Sequence, residues 1–208
     1  MAMVNLQSPP SRAGKQFSVI RSEGRYTPAV LINLLHDTSP PVLALLAEKY
    51  GLQRIPGLTA KSLIARILGC VPDESLLDLQ NELVMARFGA LQVDDLLELA
   101  LAGEQERRPR MDQIALHEAT LLHGGPPRWD YTMRGHDQVL DLKQRLLACD
   151  CEFFAFASKR QILCKHLATA FRLIPSTYVR EALIDLLVVR RYGDRREDRW
   201  DFDSPRAA

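Results

Sequence analysis

The segment ACDCEFFAFASKRQILCKHL, residues 148–167, decides the reading of this chain. It holds three of the four cysteines, Cys149, Cys151 and Cys164, and one of the five histidines, His166. In pattern form it is C-x-C, twelve residues, then C-x-H. Residues two apart in an extended strand point the same way, so Cys149 and Cys151 share one focus. At a helix start, Cys164 and His166 both turn back toward that focus. Thiolate and imidazole are the donors of tetrahedral zinc, and four of them leave no open position for a substrate. The spacing therefore predicts one structural zinc ion held by Cys149, Cys151, Cys164 and His166. The alternative, three small buried apolar residues and a surface histidine, leaves the paired spacing unexplained. Three thiolates and a neutral imidazole around zinc carry a charge of −1. Lys159, Arg160 and Lys165 stand close enough in sequence to soften it, or to meet a phosphate instead.

Upstream of this segment the apolar period is two. Trp129, Tyr131 and Met133 alternate with polar residues, as do Val139, Leu140 and Leu142, with Gly135, His136 and Asp137 between them. That predicts a hairpin whose second strand runs on toward Cys149. Downstream the period is helical, from Cys164 to Leu173 and, after Pro175 and Ser176, from Thr177 to Tyr192. The Gly-Gly-Pro-Pro run at 124–127 punctuates strongly, and GEQERRPR at 103–110 reads as a linker, followed by a helix expected over Met111–Leu122.

Residues 27–103 are patterned as helices, beginning at Pro28, Ser39-Pro40, Thr59, Pro72 and Val93, with Gly51 ending the second. The run 60–68 lies over 93–101, a weak repeat of helix, link and helix. The fold class expected is mainly α with a small β-hairpin. Its parts are a mobile arm over 1–25, a helical domain over 26–103, a linker over 104–128, a ββα zinc module with its following helix over 129–192, and a charged tail over 193–208. Trp200 and Phe202 are the tail residues able to dock.

The C-x-C, loop, C-x-H pattern, its preceding hairpin and the apolar helix with Ala168, Ala170 and Phe171 resemble the SWIM zinc finger family. The resemblance covers about residues 129–174. It implies a zinc module of a kind associated with DNA binding and protein–protein contact in remodelling, transposition and recombination proteins. Where many members have a polar, Pro- or Gly-rich loop, this chain has Phe153, Phe154 and Phe156. Residues 42–68, with the run LLAEKYGLQRIPGLTAKSLIARIL, resemble, more weakly, a SAP motif, a two-helix DNA-binding hairpin. Its link is longer than usual and Lys61 stands one place late.

The chain has 208 residues, 47% hydrophobic and 25% charged, with a formal net charge of +1. This is an ordinary globular composition, long enough for a core that does not depend on the metal. The near-neutral total hides polarity. Residues 1–66 hold eight basic residues against three acidic ones, and residues 72–106 hold nine acidic residues against Arg87. No apolar run reaches the roughly 18 residues of a membrane span. The beginning of the sequence does not read as a secretory signal, so an intracellular protein is expected.

His117, Glu118 and His123 do not make a zinc-protease helix, which needs its second histidine at the position of Leu121. No phosphate-binding glycine loop and no nucleophile with a base partner is evident, so no enzymatic activity is expected. The function expected is a non-enzymatic accessory protein that binds nucleic acid, DNA above all, beside other protein subunits in a recombination, transposition or defence machinery. Membrane and small-molecule substrates are not expected. The residues expected at phosphates are Lys159, Arg160, Lys165 and Arg172 in the zinc module and Lys49, Arg54, Lys61 and Arg66 in the helical part. The three phenylalanines beside Lys159 and Arg160 are either base-stacking platforms or core. The alternative function is a protein–protein adaptor using the acidic 72–106 region and the apolar zinc loop.

Overall fold

A computed structural model describes residues 27–53, 57–101, 114–194 and 199–203. The expected arm over 1–25, Arg54, and the start of the expected helix at Met111 lie outside the described residues.

Five helices come first: α1 (Pro28–His36), α2 (Pro40–Lys49), α3 (Ala60–Cys70), α4 (Leu76–Phe88) and α5 (Val93–Leu101). Their boundaries follow local chemistry. Prolines fill the first turns of α1 and α2, where a missing N–H costs nothing. Gly51 ends α2 at φ +74°, a left-handed conformation that favours glycine. The Thr59 hydroxyl caps α3 by accepting from the Ser62 N–H at 3.2 Å. A 3₁₀ turn, Asp73–Ser75, precedes α4.

The sheet follows: β1 (Ala119–His123), β2 (Arg128–Met133), β3 (His136–Asp141) and β4 (Leu146–Cys149) form an antiparallel meander, and β5 (Asp201–Asp203) joins β4 in parallel. Between β4 and β5 lie α6 (Glu152–Ala157), a 3₁₀ turn (Ser158–Arg160), α7 (Lys165–Leu173) and α8 (Ser176–Tyr192). The register puts Tyr131 opposite Gln138 and Gln138 opposite Cys149, with Trp129, Leu140 and Leu147 one step along. These side chains share one sheet face, and α7 packs against β3 and β4. Helix α8 touches α1, α5 and α7, and one connected set of buried side chains runs from Val30 to Trp200.

The mainly helical class with a small sheet is as expected, but four local readings need correction. The helix expected over Met111–Leu122 is, within the described residues, a 3₁₀ turn at Leu116–Glu118 and then edge strand β1. Leu116, Leu121 and Leu122 are exposed, so the ladder to β2, not a buried stripe, decides the structure. The hairpin turn is Arg134-Gly135, both with positive φ (50° and 75°), and His136 and Asp137 already belong to β3. The second strand does not run on to Cys149. The Asp141 carboxylate accepts from the N–H groups of Lys143 and Gln144, Arg145 takes φ 54°, and the chain re-enters as β4. Of the tail residues expected to be able to dock, Trp200 is buried, and Phe202 lies in the strand Asp201–Asp203. The weak repeat does not yield two like hairpins, since α3 packs on α2 and α1, whereas α5 packs on α8.

Candidate metal centre

Cys149 is the last residue of β4, on the sheet face that α7 covers. Cys151 stands two residues on, in extended conformation, as the N-cap of α6. The chain then makes α6 and the 3₁₀ turn, reverses at Gln161 with φ 53°, and returns to Cys164, the N-cap of α7. The Cys164 sulfur accepts from the Leu167 N–H at 3.4 Å, which leaves His166 in the first turn facing the cysteines. The four side chains are buried, and their ligand atoms lie within 4.8 Å of one another. The Cys149 Sγ and His166 Nδ1 are 3.9 Å apart. The four residues singled out by spacing are thus brought together, and they can hold one metal ion.

The electrostatics ask for a cation. Cys151 is driven far down, toward thiolate, chiefly by hydrogen bonding from the Cys149 and Cys164 thiols. Cys149 is pushed up to about 12, first by donating its hydrogen to Cys151. Burial, then the neighbouring sulfurs, pushes Cys164 well above an ordinary thiol. One negative charge is accommodated and three are not. A divalent ion at the focus removes that conflict, since metal ligation requires and stabilises the thiolates.

A second set of residues surrounds the ligands, and the sequence reading missed it. Gln138 is 1% exposed, and its Nε2 donates to the His136 carbonyl at 2.6 Å and reaches Cys149 Sγ at 3.9 Å. Its Oε1 is buried with no hydrogen-bond partner. The His136 ring lies 4.7 Å, centroid to centroid, from that of His166, and its Nδ1 is 3.0 Å from the Asp150 carboxylate. Asp150 also accepts from the Asp137 N–H at 3.1 Å, tying the C-x-C turn to β3. The signal available in the sequence was the period of β3, which aligns His136, Gln138 and Leu140.

The expected phosphate contacts are scattered over several elements. Lys159 and Arg160 are exposed on the 3₁₀ turn that closes the loop between Cys151 and Cys164. Phe153 (41%) and Phe156 (76%) are exposed beside them, while Phe154 is buried and stacks on Phe202 of β5 at 5.7 Å. Lys165 is half-buried in the first turn of α7. Arg172, at the far end of α7, pairs with Asp94 of α5 at 3.2 Å. Lys49 pairs with Glu82 of α4, Lys61 is exposed at the start of α3, and Arg66 is half-buried on that helix. The acidic helices thus meet some of the chain's own cations.

Comparison with models of known families, with curated proteins and with solved structures finds no match to this chain. No described helix is long and apolar enough to cross a membrane.

The loop is held from both sides. Ala100, near the end of α5, accepts through its carbonyl from the Leu163 N–H (3.4 Å) and from Arg190 of α8 (2.9 Å). The Gln161 side chain donates to the Trp200 carbonyl at 3.0 Å, and the Trp200 indole donates to Asp185 of α8 at 2.8 Å. The loop between the ligand pairs is therefore anchored to both helices and sheet.

Proposed function

We propose that this chain is a non-enzymatic, zinc-stabilised accessory protein of SWIM type, and that it binds nucleic acid through the loop between its two ligand pairs. One observation carries the reading. Four buried ligands close a loop whose outer surface presents Lys159 and Arg160, with Lys165 at its edge.

Zinc is the ion that fits this donor set. Tetrahedral bonds of about 2.3 Å to sulfur and 2.0 Å to nitrogen give ligand–ligand edges of about 3.5–3.8 Å. The cluster needs only a modest contraction to reach them. Three thiolates and an imidazole complete the coordination, so zinc supplies shape, not reaction chemistry. The N-terminus of α7, the Gln138 amide and Lys165 offset the remaining negative charge.

Phosphate contacts of this kind are sequence-independent and sensitive to salt. The test is binding of labelled oligonucleotides by the full zinc-loaded chain across a salt series. Replacing Lys159 and Arg160 by glutamine should weaken binding and flatten the salt dependence by about two phosphate contacts. No binding of single- or double-stranded DNA or RNA at low salt would overturn the proposal.

A second reading, an adaptor between protein subunits, draws on the ion pairs of Arg172 with Asp94 and of Lys49 with Glu82. Cations already facing carboxylates offer less to a phosphate backbone, and the apolar loop is then a protein contact. Retained partner capture by a chain that binds no oligonucleotide would favour this reading.

A further inference from the structure

The loop between the ligand pairs carries a stripe. Phe153 and Phe156 lie three apart on α6, and Lys159 lies three further on, in the 3₁₀ turn that continues it. Residues three apart share a helix face, and in a 3₁₀ turn they eclipse. The adjoining face holds Phe154 and Ala157, both buried, with β5 packed there through Phe202. Phe153 and Phe156 are the only exposed phenylalanines among the described residues, and Phe156 is the most exposed large apolar side chain among them. The core therefore takes one ring of the segment and leaves two outside. Lys159 and Arg160 close the stripe at one end, and Glu152 is the single carboxylate of the segment, at the other end.

We infer that this stripe is a stacking platform for two unpaired bases of a single-stranded nucleic acid, with Lys159 and Arg160 on the flanking phosphates. This rests on the proposed nucleic-acid function and deepens it. Two rings one helical turn apart, next to cations, match a strand whose bases are splayed out. A duplex hides its base faces and offers such rings nothing to stack on. Ring stacking needs no particular base, so the platform selects strandedness and not sequence. Zinc holds both ends of the loop and so fixes the two rings before the strand arrives, which lowers the ordering cost of binding.

The experiment uses the full zinc-loaded chain and four probes of equal length: a thymidine oligomer, a uridine oligomer, a mixed-sequence duplex, and an abasic oligomer with the same phosphates. The expected result is at least a tenfold preference for the oligomers with bases over the duplex and the abasic strand. Phe153→Ala and Phe156→Ala each weaken oligomer binding by about 5- to 150-fold, and leave duplex and abasic binding unchanged. Phe156→Trp retains binding. Both rings are solvent-exposed, so zinc content and the unfolding midpoint serve as controls that the loop is intact. Equal affinity for strand and duplex, indifferent to either alanine, overturns the platform while leaving the nucleic-acid function standing. So does equal affinity for the abasic strand, and the rings then belong to a protein contact. Failure of all four probes to bind overturns the function itself.

Discussion

Gln138 makes a prediction in which two effects have opposite signs. Its Oε1 is buried without a partner, and a buried acceptor left unpaired costs about 1–3 kcal/mol. Its Nε2 serves the His136 carbonyl and points at Cys149 Sγ. In Gln138→Leu the side-chain volume is nearly kept. The unpaired oxygen disappears, and the carbonyl of His136 loses a donor worth about 1 kcal/mol. In the metal-free protein these changes nearly cancel, so stability should move by less than about 1 kcal/mol. In the zinc-loaded protein Cys149 is a thiolate, and a hydrogen bond to a charged acceptor is the stronger kind. Loss of such a supporting contact typically costs 10–100-fold in metal affinity, about 1.4–2.8 kcal/mol. The assays are zinc affinity by competition with a chromophoric chelator, and urea unfolding with and without a chelator. A zinc affinity within about threefold of the parent, together with a loss of more than about 2 kcal/mol in the metal-free protein, would make Gln138 only a packing residue.

Three further outcomes are expected. Purified protein should contain about one zinc per chain by elemental analysis, and Cys149→Ser with Cys151→Ser should abolish it; retained zinc would sink the ligand assignment. Asp37 is held below the ordinary carboxylate value first by the hydroxyl of Tyr192 and then by Arg191 and Arg87, so its contribution is complete above its unfolded pKa and is lost as pH falls through the folded one. Asp37→Asn should therefore be less stable by under about 1 kcal/mol at pH 7, a difference that closes as pH falls through the lowered folded value; a gap independent of pH would remove this ion cluster from the account. Trp200→Ala should cost about 3–5 kcal/mol in urea unfolding, since the indole is 2% exposed and bonded to Asp185; a loss under 1 kcal/mol would mean that the C-terminal strand is not docked in solution.

What the sequence disclosed depended on whether local chemistry or distant contacts decide each element. Helices α1, α2 and α3 open where Pro28, Pro40 and Thr59 stand, because capping is written in a residue or two. The four ligands were legible because their spacing encodes strand and helix-start geometry directly. Strand β1 was not, since its leucines face solvent and only the ladder to β2 specifies it. The break before β4 uses Arg145 at positive φ, where sequence rules look for glycine, although Asp141 two residues before Lys143 was a usable turn signal. Helix α6 lies in a stretch whose family resemblance suggested a loop, and the burial of Phe154 and Ala157 fixes it. Strand β5 is three residues in a charged tail, and its pairing with β4 depends on Phe202 and Trp200 finding partners far away in sequence.

The order of these partners along the chain has a consequence for the order of folding. The four ligands fall within residues 149–166, and strands β2, β3 and β4 pair with their immediate sequence neighbours. Contacts so local close quickly and cost little loop entropy. Helix α8 and strand β5 come later; Asp201 of β5 reaches back to Arg145, and Trp200 just before it to Asp185. The candidate metal corner therefore closes on contacts near in sequence, and docking of Trp200 over the loop is the long-range step.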